Sequence, residues 1–405
     1  MSDEKIPDLL EKQDSCPTTR TIEPELGISE PVNALQRFAN KLDAVCGVEA
    51  RGIERIPEEL RERSMSYRDY IHMFTIWFSM NCTANQLTLG VLGPVTYKLG
   101  FTDSIVFVWA PTVLVLFVLI GVAGPHFDTS IASEGTGAVL HGNRLSYFFL
   151  VASGPLSWSS ASADYVVYYP KTTNRGLTFA ATTCGITCGK LMIEFLGIGL
   201  GSGLLKNATW KQAFDDHGIG ALVVESYKPL NTFGNVCCVI LAICIAANNI
   251  PGTYAAALNW QQLGAPFAKI PRPIWSTFSC IVFTVIAIAG RDSLFDIFIN
   301  WLSLIGYWTI IWITMTLQDE YIFRKGKFDW EIWDRKDLLP HGFAALFGMI
   351  VGWVFAVVCM YQTYFTGPIA KLVGNGADLG LPVAMGVTMI VYPPVRWLEL
   401  KYVGR

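Results

Sequence analysis

Three stretches of this 405-residue chain place hydrogen-bonding side chains inside apolar runs, where lipid could not satisfy them. The first, "WFSMNCTANQLTLG" from Trp77 to Gly90, carries Ser79, Asn81, Thr83 and Asn85, with Gly90, Gly93 and Pro94 behind them to loosen a helix. The second, "SGPLSWSSASADYVVYYP", sets Ser157, Ser159, Ser160 and Ser162 around Trp158; Gly154 and Pro155 can break the helix, and Asp164 follows. The third, "AANNIPGTY", puts the adjacent amides Asn248 and Asn249 before Pro251 and Gly252. Amides donate and accept hydrogen bonds, and an indole offers a flat face for stacking. These groups bind; they do not catalyse. There is no Walker sequence, HExxH, GxSxG or nucleophile–base pair, so the chain is read as no enzyme, with no catalytic residue, metal-ligand set or cofactor site.

Each stretch also has a plainer reading. Hydroxyls and amides glue helices together in membrane bundles, and a lone Trp often anchors at the lipid interface. Trp158 sits several residues inside its run, among hydroxyls, which favours a stacking surface. Asp164 lies at membrane depth or near the inner interface and reads either as a proton-coupling acid or as a structural one capped by a neighbouring Ser or Tyr. Lys190 and Glu194, four residues apart inside an apolar helix, read first as a mutually neutralising pair and second as coupling residues. Asn248 and Asn249 point about 100° apart on a helix, so one reads a ligand and the other packs. The "PPVRWLELKY" terminus, the "RKGKFDWEIWDRKD" loop and Asp296/Asn300 read as interface and packing.

The elements that must hold these groups follow from composition. With 52% hydrophobic and 16% charged residues, 13 Trp and a mean hydropathy of +0.39, the chain is a polytopic membrane protein. The net charge of −3 is spread over tails and loops without a basic patch and so says nothing for nucleic acid, which is not expected as a partner. Ten Cys fall mostly inside apolar runs without CxxC spacing and read as small core residues. Apolar windows of about 20 residues give about nine spans, near 70–97, 105–124, 145–169, 178–204, 232–257, 274–290, 295–317, 341–362 and 377–394. They divide the chain into an acidic, mostly disordered cytosolic tail (1–68), one transmembrane domain (69–396) and a short C-terminal tail (397–405).

Lys and Arg set the orientation, since short cytoplasmic loops are enriched in both. One set of alternate loops carries Lys171, Arg175, Lys269, Arg272, Arg324, Lys325, Lys327 and Arg396, and the other is much poorer, which puts the C-terminus in the cytosol and the sequon at Asn207 outside. Carried backwards, that orientation places the start of span 70–97 outside. Yet Arg51, Arg55, Arg61, Arg63 and Arg68 precede it and mark that end as cytosolic. The conflict is confined to the joint "YKLGFTDSIVFVW", where an odd number of helices is missing or a segment re-enters.

Four ordered motifs, "GVEARGIERIPEELR", "WFSMNCTANQLTLGVLGP", "GPLSWSSASADYVVYYP" and "IAANNIPGTYAAALNWQ", resemble the fungal purine-cytosine permeases of the nucleobase:cation symporter-1 family. The resemblance runs from about residue 45 to the C-terminus. It implies an all-α membrane protein with the five-plus-five inverted-repeat transporter fold (APC/LeuT-like), about twelve helices in the family, the first and sixth discontinuous. Family helices 2, 3 and 4 have no counterpart here, an odd number, as the charge conflict requires. The expected function is secondary active transport of nucleobases, cytosine and purines such as adenine, guanine and hypoxanthine, by alternating access at the plasma membrane, with proton rather than sodium as the coupling ion. The family's binding Trp of helix 6 maps to Trp158 and its substrate-binding Asn to Asn248 or Asn249; an amide matches the ring nitrogen and exocyclic amine that cytosine and adenine share. Ser79, Asn81 and Ser159 would line the pocket, and Asp164, Lys190 and Glu194 are the coupling candidates. The competing expectation is a shortened, non-transporting form with an incomplete pocket.

Overall fold

The structure is a computed structural model, and it describes residues 37, 41, 61, 64–82, 114–167, 169–170, 172–327, 338–373 and 376–404. Helix follows helix: α1 (Tyr67–Asn81), α2 (Leu114–Ala123), α3 (Gly137–Leu156), α4 (Ser162–Val166), α5 (Arg175–Gly203), α6 (Ala208–Tyr227), α7 (Thr232–Gln262), α8 (Ala265–Ala268), α9 (Arg272–Ala289), α10 (Leu294–Gln318), α11 (Phe343–Cys359) and α12 (Gly380–Val403). Among the described residues the only β pairing is an isolated bridge between Tyr361 and Thr366. Five helices are long and apolar enough to cross a membrane, namely Arg175–Gly203, Thr232–Gln262, Arg272–Ala289, Ile297–Phe323 and Gly380–Val403, and Phe343–Cys359 is a shorter apolar one. Among the described residues this is an all-α membrane-protein architecture. Most of the N-terminal tail, with Thr83, Asn85, Gly90, Gly93, Pro94 and the joint between the first two expected spans, lies outside the described residues.

Local chemistry sets the helix boundaries. Ser66 caps α1: its amide donates to Asp69 Oδ2 at 2.6 Å and its hydroxyl accepts from Arg68 N, while at the other end Cys82 leaves helical geometry with φ −95° and ψ 63°. Asn174 starts α5 by accepting from the amides of Gly176 and Leu177 at 2.9 and 3.2 Å. The expected span 145–169 is broken as its Gly154-Pro155 pair suggests: α3 ends at Leu156, Ser157–Ala161 form turns, and α4 restarts at Ser162.

One stretch departs from expectation. The connection after residue 204 is not an irregular loop but helix α6, which begins where Asn207 Oδ1 accepts from the amides of Thr209 (3.1 Å) and Trp210 (3.3 Å). It is kinked at Gly218, whose φ of 72° a side chain would resist. Trp210, Leu222 and Tyr227 sink into a core shared with Leu119 of α2 and Ile193, Leu196 and Leu200 of α5. Burying those side chains outweighs the polar cast of "KQAFDDHG".

Close approach of backbones organises the packing of α1 on α5. A Cβ at Gly185 would lie 2.6 Å from Phe74 O, and one at Gly189 would lie 2.4 Å from Phe78 O. Small residues let membrane helices meet at this distance, where dispersion and not water exclusion drives association. A second core joins α10, α11 and α12 through Tyr307, Ile311, Met315, Ala356, Ala384 and Tyr392.

Two polar clusters close the ends of that half. Arg396 reaches Asp319 Oδ1 at 3.1 Å and Glu399 Oε2 at 2.8 Å, while Glu399 Oε1 accepts from Phe343 N at 3.0 Å. At the other end Asp378, just before α12, accepts from the Tyr307 hydroxyl, from Gln362 Nε2 at 2.7 Å and from Gly380 N at 2.9 Å, and its own amide donates to Ser146 Oγ at 2.8 Å. Burial pushes its carboxyl up to about 6 against these donors. The loop acid Asp128 behaves oppositely: hydrogen bonding to Lys206, at 2.7 Å, and to Ser130 holds it down at about 2.

Candidate functional site

The site is assembled where the end of α1, the break between α3 and α4, and the middle of α7 meet. At the α1 end, Asn81 is fully buried; its Nδ2 donates to Trp77 O at 2.9 Å, which leaves Oδ1 with no donor among the described residues. A buried acceptor left without a donor costs about 1–3 kcal/mol, so this oxygen is a candidate to accept from a ligand. Ser79 is exposed and donates to Ile76 O at 2.9 Å.

At the break, Trp158 is half-buried and meets Trp77 edge to face, with ring centroids 6.0 Å apart at 82°. Ser157, Ser159 and Ser162 each donate to the carbonyl three residues back, at 2.6, 2.6 and 3.0 Å. Their donor capacity stitches the turn together, and their lone pairs remain for a ligand. Asp164 is half-buried, within electrostatic reach of the buried Arg272.

On α7, the adjacent amides part company as helical geometry requires. Asn248 is half-buried with its Oδ1 enclosed and without a donor among the described residues. Asn249 is exposed and lines a pocket of about 370 Å³ between α7 and α9, with Thr253, Tyr254, Arg272, Ser276 and Phe283. The Lys190–Glu194 pair, 2.8 Å apart, is 3% and 1% exposed and lies on α5 next to Gly189, the glycine pressed against the end of α1.

The structure thus brings Asn81, Trp158 and Asn248 to neighbouring elements, keeps Lys190 and Glu194 one layer behind α1, and turns Asn249 towards α9. Sequence reasoning missed the residues that join these groups. Trp77 and Tyr165 stand edge to face at 5.7 Å, Tyr165 and Tyr254 tilt together at 6.3 Å, Arg272 sits 4.3 Å over the Tyr254 ring, and the Tyr165 hydroxyl donates to Pro251 O at 2.8 Å. The signal was available: Tyr165 follows Asp164 in the broken stretch, and Trp77 lies one helical turn before Asn81. The rings form one linked cluster between the end of α1, the break and α7, and Asn81 and Asn248 each keep an enclosed side-chain oxygen without a donor among the described residues.

The chain is 36% identical over 253 residues to the purine-cytosine permease FCY22 of Saccharomyces cerevisiae, covering 61% of this chain and 48% of the relative. It is 33% identical over 302 residues to the purine-cytosine permease FCY2 of the same yeast (73% and 57%), and 30% identical over 347 residues to its vitamin B6 transporter TPN1 (72% and 60%). The chain therefore spans about half to three-fifths of the length of these relatives. No family model matches it, and no solved structure does.

Proposed function

This chain is a homologue of the fungal purine-cytosine permeases, and we propose that it serves as a secondary carrier for nucleobases, cytosine and purines such as adenine, guanine and hypoxanthine, working by alternating access in the plasma membrane. The observation that carries the reading is the ring cluster of Trp77, Trp158 and Tyr165, tied by the Tyr165 hydroxyl to Pro251 on the helix that carries Asn248, whose enclosed Oδ1 has no donor among the described residues. The exocyclic amine shared by cytosine and adenine supplies the N–H that this oxygen lacks, while the ring stacks on Trp158. Asn81 offers a second acceptor across the break, and Ser79 and Ser159 flank it. Proton, rather than sodium, is the coupling ion in this proposal; Asp164 at the break and the Lys190–Glu194 pair behind α1 are its carriers.

Uptake of labelled cytosine by cells without their own nucleobase permeases tests the reading, with unlabelled adenine and vitamin B6 as competitors. Saturable uptake that adenine competes supports it. Competition by vitamin B6 alone would move the substrate to the TPN1 type. Trp158→Ala is expected to raise KM by about 5- to 150-fold, since stacking on an aromatic side chain is worth about 1–3 kcal/mol; unchanged uptake would sink the site assignment. A chain that reaches the surface and carries nothing would instead be the shortened, non-transporting form.

A further inference from the structure

Of the three segments that build the site, α4 is the shortest, five residues between a break and the next connection, and one of its side chains touches both other segments. The Tyr165 ring lies between Trp77 of α1, 5.7 Å away at 89°, and Tyr254 of α7, 6.3 Å away at 33°. Its hydroxyl donates to Pro251 O at 2.8 Å. Pro251 sits within α7 and has no amide hydrogen, so the carbonyl four residues earlier loses its helical donor next to Asn248. Two residues beyond the proline, Thr253 Oγ1 donates to Asn249 O at 2.8 Å, a contact that favours bending. The turn that carries Asn248 is therefore a soft point in a long helix, and Tyr165 is tied to it from across the site.

We propose that Tyr165 is a positioning residue of the nucleobase site, its ring seated against Trp77 and Tyr254 and its hydroxyl fixing where the Asn248 turn of α7 stands relative to the broken helix. The inference rests on the reading of the site as a nucleobase pocket. It gives the break a means of acting on Asn248: any rearrangement of α4 during closure moves the hydroxyl and, with it, the carbonyl of Pro251. Tyr254 is itself held by Arg272, so the seat is anchored as far as α9.

The test is cytosine uptake by Tyr165→Phe, which keeps the ring and removes the hydrogen bond. KM is expected to rise roughly tenfold, with surface-labelled protein at the parent's amount. A packing role alone would lower surface protein and maximal rate together and leave KM where it was. Tyr165→Leu, which removes the ring as well, is expected to raise KM further. An unchanged KM in Tyr165→Phe overturns the inference while the transport reading stands; absence of saturable uptake in the parent overturns the transport reading, and the inference falls with it. If Tyr165→Phe is retained inside the cell, the cytosine-induced shift in melting temperature of the detergent-extracted protein reads the same change: a smaller shift than the parent's supports the inference, and an equal one overturns it.

Discussion

Asn248 and Asn249 share a peptide bond and occupy unlike environments, one with an enclosed Oδ1 that meets no donor among the described residues and the other exposed on a pocket wall. Deleting a buried acceptor that nothing satisfies removes a cost from the folded state, whereas deleting one that pairs with substrate removes affinity. Asn248→Ala is therefore expected to raise KM for cytosine by about 10- to 100-fold with no loss of thermal stability. Asn249→Ala should stay within about twofold of the parent, and equal effects at both positions would contradict the orientation. Asp378 ties the start of α12 to Tyr307 of α10 and to Gln362, so Asp378→Asn, which keeps the shape and weakens both bonds, is expected to lower the melting temperature of the detergent-extracted protein. Asp128 responds to pH: its tie to Lys206 is present above the ordinary value of 3.8 and lost only as pH falls towards 2.

Among the elements, α1 and α5 show how a helix pair is specified by what is absent. Gly185 and Gly189 leave room for the backbone of α1, and no rotamer change can relieve a Cβ against a carbonyl oxygen. Gly189→Ala is expected to cost about 1–3 kcal/mol by overpacking, read as a lower melting temperature, and to displace the end of α1 that carries Asn81. The Lys190–Glu194 pair beside it separates its two readings by substitution. Lys190→Met alone leaves Glu194 buried and unpaired and should cost about 3–5 kcal/mol, whereas Lys190→Met with Glu194→Leu should recover most of the loss. If the pair is structural, uptake returns with the double variant; if it carries the proton, stability returns and pH-dependent uptake does not. The break between α3 and α4 was legible because Gly154-Pro155 is a local signal. Helix α6 was not, since its apolar residues are spaced across a kink and only the partner surface of α2 and α5 reveals which of them are core.

For the whole molecule, the loop charges predict a cytosolic C-terminus and an external Asn207. Treatment with a glycosidase should shift the mobility of the parent but not of Thr209→Val, which removes the sequon and leaves the Asn207 cap on α6 intact. No shift, together with a C-terminal tag labelled from outside, would invert the orientation. Composition and span-length apolar runs were enough to identify an all-α membrane protein, and four ordered motifs its homology to purine-cytosine permeases, because lipid forces every backbone group into local helical bonds and so writes the fold class into hydropathy. The same stretches also announced where polar groups interrupt it. What they could not say is which interrupting group faces which. That Asn248 is enclosed and Asn249 turned away, that Trp158 leans on Trp77, and that Tyr165 ties the break to Pro251 are contacts between residues as much as 86 positions apart. Such contacts depend on helix rotation and interhelical distance, which glycine seats and packed rings fix only once the helices meet.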